Sequence, residues 1–163
     1  MKRNPKYFLL DVDGVMTSGN FIYSKQGKIF KEFGPDDSDA LNILKKFLKI
    51  QFITSDKKGF SISKKRIYND MGFKINLVPT FQRVKWVEKN LDLKQTIFMG
   101  DGIFDYLLMK KTFYSICTKN CSSIAKKYAK FQTKNEGGNR AVAEACIFIL
   151  KKFFNKKIEN IYN

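Results

Sequence analysis

Short apolar runs alternate with longer stretches in which apolar residues recur every three or four positions. The runs YFLLDV (7–12), IQFIT (50–54), INLV (75–78), TIFMGDG (96–102) and FYSIC (113–117) predict strands. FIYSKQGKIFKEF (21–33) alternates on both arms about a turn at Lys25–Lys28 and predicts a β-hairpin. DSDALNILKKFLK sets Leu41, Leu44, Phe47 and Leu48 at helical spacing, with Asp37 or Ser38 in the capping position. FSISKKRIYNDMG predicts a helix closed by Gly72, and FQRVKWVEKNL another. Further helices are predicted over about 103–111, 121–129 and from Asn139 to Phe154. The tail NKKIENIYN is read as frayed or docked elsewhere.

Strands alternating with helices imply right-handed βαβ units. The predicted class is α/β: a Rossmann-like parallel sheet sandwiched by helices, with the hairpin as a small flap. No internal repeat or linker interrupts the 163 residues, and no insertion is long enough for a cap domain, so one domain is expected. A chain of this length buries roughly 70% of the surface its unfolded form exposes. In such sheets the site lies at the carboxyl ends of the strands. Three of those ends carry polar groups: Asp11 and Asp13, then Thr54 and Ser55, then Asp101 and Asp105.

Composition narrows the chemistry. The chain has no histidine, which removes Ser-His-Asp and Cys-His catalysis and every histidine-ligated metal site. Proton transfer falls to carboxylates, Lys, Tyr or Cys. A metal must be hard and oxygen-ligated, which points to magnesium. Three cysteines, Cys117, Cys121 and Cys146, make no disulfide framework, and Cys117 with Cys121 lack the further ligands of a metal site. The net charge of +16 is spread along the whole chain; it steers anions and is not read as a nucleic-acid surface. No 18-residue apolar span is present, so no membrane crossing is expected. The start, MKRNPKYFLLDVDG, is basic and then apolar like a signal peptide, but acidic residues break the run and no cleavage site follows. A cytoplasmic location is the expectation.

Aspartates two apart on an extended segment point the same way, so Asp11 and Asp13 reach one ligand beyond the strand. Gly14 lets the backbone turn around it. Asp101 arrives from another strand at the same edge, and three carboxylates at one point repel unless a cation sits among them. With that cation, one aspartate becomes a plausible nucleophile toward phosphorus while the other manages protons. The Thr54 hydroxyl and a Lys or Arg would hold the phosphoryl oxygens.

DVDGVMT resembles the DxDGxxT signature of the haloacid dehalogenase superfamily phosphatases. FITSD is similar to that superfamily's second motif and MGDGIFD to its GDxxxD motif, in the same order and nearly spanning the chain. The resemblance implies Asp11 as nucleophile and Asp13 as general acid/base. It implies magnesium on Asp11, the Asp13 carbonyl and Asp101, with Asp105 as an outer-shell or water-mediated ligand, and phosphate on Thr54 with Ser55. The third motif needs a cation at a helix start. QRVKWV offers Arg83 or Lys85, and the register favours Arg83.

A narrower resemblance is to phosphatases of 3-deoxy-D-manno-octulosonate 8-phosphate, carried by DGVMTSG, KEFGPDD and EGGNRAVAE. Related enzymes act on nonulosonate 9-phosphates, and related domains are fused to sialic acid cytidylyltransferases. The chain departs at Ser18, Ser38, Arg140 and Ala143, and TSDKKGFSISKKR is longer than the family's segment, so a sister specificity is expected. The resemblance implies a homotetramer in which a neighbour's flap and C-terminal region close the site. Asp37, Arg66 and Arg140 are the expected contacts to a phosphorylated sugar acid. The competing expectations are a receiver-like signalling domain, a silent oligomerisation domain beside a cytidylyltransferase, and a basic nucleic-acid module.

Overall fold

A computed structural model describes residues 5–161. Six parallel strands, β1 (Tyr7–Asp11), β4 (Lys49–Thr54), β5 (Lys74–Leu77), β6 (Thr96–Gly100), β7 (Tyr114–Cys117) and β8 (Phe131–Gln132), form one sheet in the order β5-β4-β1-β6-β7-β8. The antiparallel pair β2 (Ile22–Ser24) and β3 (Gly27–Phe30) stands apart as the hairpin. The order reverses beside β1, whose Leu10 faces Phe52 of β4 on one side and Met99 of β6 on the other. That reversal opens a crevice at the carboxyl edge, where such sheets bind ligands.

Side-chain alternation along β1 divides the core. Phe8 and Leu10 face α1 (Asp37–Leu44) and α6 (Ala141–Phe154), packed with Leu41, Leu44, Ala145, Ile149 and Leu150. Leu9 faces the other layer, with Ile53, Phe98, Val87 of α3 (Arg83–Asn90), Leu108 and Met109 of α4 (Tyr106–Met109) and Ala125 of α5 (Ser123–Tyr128). Asp11 shares the parity of Leu9, so it is turned toward the start of α3.

Several elements differ from their sequence reading for local reasons. The hairpin turn is tighter, only Lys25–Gln26 lying between its strands. After Leu44 the chain leaves α1 through tight bonds, Lys46 N–H to Ile43 O at 3.2 Å and Phe47 N–H to Leu44 O at 2.9 Å. The predicted helix to Gly72 is α2 (Phe60–Lys64) followed by a wider π-helical turn, Lys65–Asp70, in which Met71 N–H reaches Arg66 O at 3.1 Å. α4 starts three residues late because the Asp105 carboxylate takes the Asp101 and Gly102 N–H groups at 2.9 Å each. α6 starts at Ala141 because Arg140 is left-handed, φ 64°. The two-residue β8 carries too little pattern to predict. In the tail, Ile161 packs against the first core cluster, while residues 162–163, like 1–4 of the leader-like start, lie outside the described residues. Among the described residues no helix is long and apolar enough to cross a membrane, and the three cysteines are free.

Candidate active site

The carboxyl edge gathers four aspartates and one arginine. Gly14, with φ 82°, sits so close to Asp101 that a Cβ there would lie 2.0 Å from its Oδ2. Only glycine lets the β1 loop and the β6 loop meet. Thr17 is fully buried, and its hydroxyl accepts the Gly14 N–H at 3.2 Å and the Gly19 N–H at 3.3 Å, which locks the turn. Gly137 backs this turn: a Cβ on it would stand 2.0 Å from Gly14 O.

Arg83, at the first position of α3, donates to Asp11 Oδ2 at 2.8 Å, Asp11 Oδ1 at 3.2 Å and Asp105 Oδ1 at 2.8 Å. Its Nε also donates to Ser55 Oγ at 3.2 Å, and Ser55 is itself anchored on Val78 O at 2.8 Å. Burial works against the guanidinium charge, but Asp11 and Asp105 outweigh it and raise the pKa. Asp11 Oδ1 also accepts the Val12 N–H at 2.7 Å. Asp13 accepts the Thr54 hydroxyl at 3.3 Å and lies 2.8 Å from the Lys31 ammonium. Burial raises the Asp13 pKa, and Lys31 opposes it.

Asp11, Asp101 and Asp105 each offer an oxygen within 4.8 Å of the others. Burial, then the charges of Asp11 and Asp105, push Asp101 up to about 8. Burial, then Asp11, push Asp105 up to about 6. Arg83 offsets part of the repulsion at Asp11 and Asp105 but makes no ion pair with Asp101, and hard oxygen donors in this arrangement fit a divalent cation.

The structure therefore brings together Asp11, Asp13, Thr54, Ser55, Arg83, Asp101 and Asp105. Lys85 is not among them: two residues past Arg83, it is exposed on α3. Arg66 lines a groove with Lys31 and Phe33 that none of the gathered residues lines. Asp37 is fully buried, not open to a ligand, and accepts the Ala143 N–H at 2.8 Å, capping α6 from outside. Arg140 is exposed and pairs with Asp36 on the outer surface. Sequence reasoning missed Lys31, Ser63 and Asp56. Asp56 closes FITSD, Lys31 opens KEFGPDD and Ser63 lies in the longer TSDKKGFSISKKR segment, but the resemblance assigned a role to none of them.

A model of the haloacid dehalogenase-like hydrolases matches residues 3–145. The 3-deoxy-D-manno-octulosonate 8-phosphate phosphatase of Yersinia pestis is 26% identical over 158 residues, 90% of this chain and 80% of that protein. The solved structure of the 3-deoxy-D-manno-octulosonate 8-phosphate phosphatase from Moraxella catarrhalis, in complex with magnesium, phosphate and KDO, is similar with a TM-score of 0.78. It is 25% identical, over 94% of this chain and 90% of that one. The cobalt-bound form of the deoxy-D-mannose-octulosonate 8-phosphate phosphatase from Haemophilus influenzae shares the fold, with a TM-score of 0.80 at 21% identity over 91% and 89% of the two chains.

Proposed function

The chain belongs to the haloacid dehalogenase-like hydrolases, and from that membership we propose a magnesium-dependent phosphatase of a phosphorylated sugar acid. The substrate is an eight-carbon 3-deoxy-D-manno-octulosonate 8-phosphate or a nonulosonate 9-phosphate. The observation that carries the reading is the meeting of Asp11, Asp13, Thr54, Arg83, Asp101 and Asp105 at one sheet edge. The similarity to the Yersinia pestis and Moraxella catarrhalis phosphatases supports the substrate class.

Asp11, Asp101 and Asp105 would hold the magnesium, which supplies charge neutralisation for an incoming phosphate. Asp11 attacks phosphorus, forming an aspartyl phosphate. Arg83 keeps the attacking carboxylate turned to the site through two of its nitrogens. Asp13 protonates the leaving oxygen and then takes a proton from the hydrolytic water. The Thr54 hydroxyl beside Asp13 is placed to hold a phosphoryl oxygen. Arg66, in its groove beside Lys31, is suited to a carboxylate.

The hairpin leaves Ile22, Tyr23 and Phe30 between 57% and 60% exposed. Apolar residues displayed together on a flap suit contact with a second subunit, and a homotetramer is the proposed assembly. The test is phosphate release from eight- and nine-carbon keto-sugar-acid phosphates beside simple sugar phosphates, with and without magnesium. Preference for a sugar-acid phosphate, abolished by chelator, supports the reading. Equal turnover of all of them, or full activity in chelator, overturns it.

A further inference from the structure

The flap does more than stand beside the site. Immediately after β3, Lys31 leaves the hairpin and enters the protein, where its side chain has no solvent exposure. An ammonium group has three N–H donors and no acceptor. That of Lys31 donates to Asp13 Oδ2 at 3.1 Å and Ser63 Oγ at 2.8 Å, and stands in ion-pair range of Asp13 Oδ1 and Asp56 Oδ2, each at 2.8 Å. A buried cation is tolerated only when so matched, and here the match fixes the position of Asp13.

The same strand supplies a second anchor. Lys28 is also buried and pairs with Asp56, while its ammonium lies 3.3 Å from the centre of the Phe21 ring. Asp56 is held in turn by the Gly59 N–H at 3.0 Å. One arm of the hairpin is therefore pinned to the loop after β4, and through Lys31 to the loop after β1.

The cations divide the work. Arg83 touches Asp11 and Asp105. Lys31 touches Asp13 and Asp56, and neither Asp11 nor Asp105.

We propose that Lys31 is the positioning residue for Asp13, delivered by the hairpin so that the proton-transferring carboxylate is aimed at the leaving oxygen only while the flap is pinned by Lys28 and Asp56. This rests on the assignment of Asp13 as general acid. Lys31 touches the acid rather than the phosphate, so its loss should matter in proportion to the leaving group's need of a proton. An ester whose leaving group departs as a stable anion needs no such help.

The experiment compares kcat/KM for phenyl phosphate and 2,4-dinitrophenyl phosphate in the parent, Lys31→Met and Asp13→Asn, with inhibition by inorganic phosphate as the binding control. Lys31→Met should lose about a hundredfold on phenyl phosphate and less than about fivefold on the dinitrophenyl ester, with phosphate inhibition unchanged within about threefold. Asp13→Asn should show the same selectivity, more strongly. If Asp13→Asn is selective and Lys31→Met loses equally on both esters, the positioning role is overturned and the acid assignment stands. If Asp13→Asn is not selective, the assignment fails and the inference with it. Should Lys31→Met not fold, Lys31→Arg decides. It keeps the charge but cannot match three compact donors to the same acceptors, and a selective partial loss supports the role while an equal loss overturns it.

Discussion

At the scale of single residues, the site is a problem in charge. Asp11, Asp101 and Asp105 with Arg83 leave a formal charge of −2 when all are ionised, the complement of one divalent cation. Asp101 takes no ion pair with Arg83, and burial with its two acidic neighbours holds it near 8. Magnesium should therefore raise the melting temperature of the parent, and Asp101→Ala should abolish that rise, as scanning calorimetry with and without chelator would register. Asp11→Asn removes the proposed nucleophile and keeps its shape; turnover should fall at least about a thousandfold, roughly 4 kcal/mol of barrier, and activity within about tenfold of the parent would exclude the role. The two candidate cations of α3 separate cleanly. Arg83→Ala strands two buried carboxylates and should lower kcat/KM at least about a hundredfold. Lys85→Ala, exposed and away from the site, should stay within about twofold of the parent in the same assay.

At the scale of elements, the junction of α1 and α6 shows how a residue quoted for function comes to serve the frame. Arg140 occupies the N-cap position of α6 and makes no capping bond; Asp37 of α1 supplies the acceptor instead. Burial raises the Asp37 pKa from 3.8 to about 6, and its Oδ2 is buried without a hydrogen-bond partner. The folded pKa lies above the unfolded one, so the contribution is fully present below about 4 and is lost as pH rises through about 6. Stability should fall over that window by up to about 3 kcal/mol from this group. Asp37→Asn keeps an accepting oxygen and cannot ionise. Its stability relative to the parent, read by urea denaturation, should improve from pH 4.5 to pH 7.5; an unchanged difference would remove the assignment.

That residue also marks where the sequence stopped being legible. The strands and the acidic loops after them were readable because apolar runs and carboxylates in fixed order are local signals, and Asp11, Thr54 and Asp101 do meet. Asp37 in its segment looks alike whether it faces a ligand or a neighbouring helix, since only the packing of α6 on α1 decides. Lys31 opens KEFGPDD, but among 31 Lys and Arg residues nothing in the sequence shows that its ammonium is buried against Asp13. The π-helical turn at Lys65–Asp70 depends on a hydrogen-bond choice that periodicity does not encode.

At the scale of the whole molecule, the flap is too small to enclose the site it adjoins. β2 and β3 span three and four residues, and the hairpin's Ile22, Tyr23, Ile29 and Phe30 are exposed to solvent. The proposed phosphoryl transfer to a carboxylate would gain from excluding water, and the proposed assembly would supply that closure from a second subunit. Arg140 is the group best placed to reach out: it heads α6 in a left-handed conformation, its side chain is 54% exposed, and its present partner Asp36 is equally exposed. An ion pair so open to solvent contributes little and can be exchanged for a substrate carboxylate at modest cost. The proposed tetramer should therefore appear in sedimentation equilibrium. Arg140→Ala should raise KM for a sugar-acid phosphate about tenfold or more while an aryl phosphate is hydrolysed within about twofold of the parent rate. A monomer with full specific activity would refute shared closure yet leave the proposed chemistry at Asp11 intact, because Asp11, Asp13, Thr54, Arg83, Asp101 and Asp105 all come from one chain.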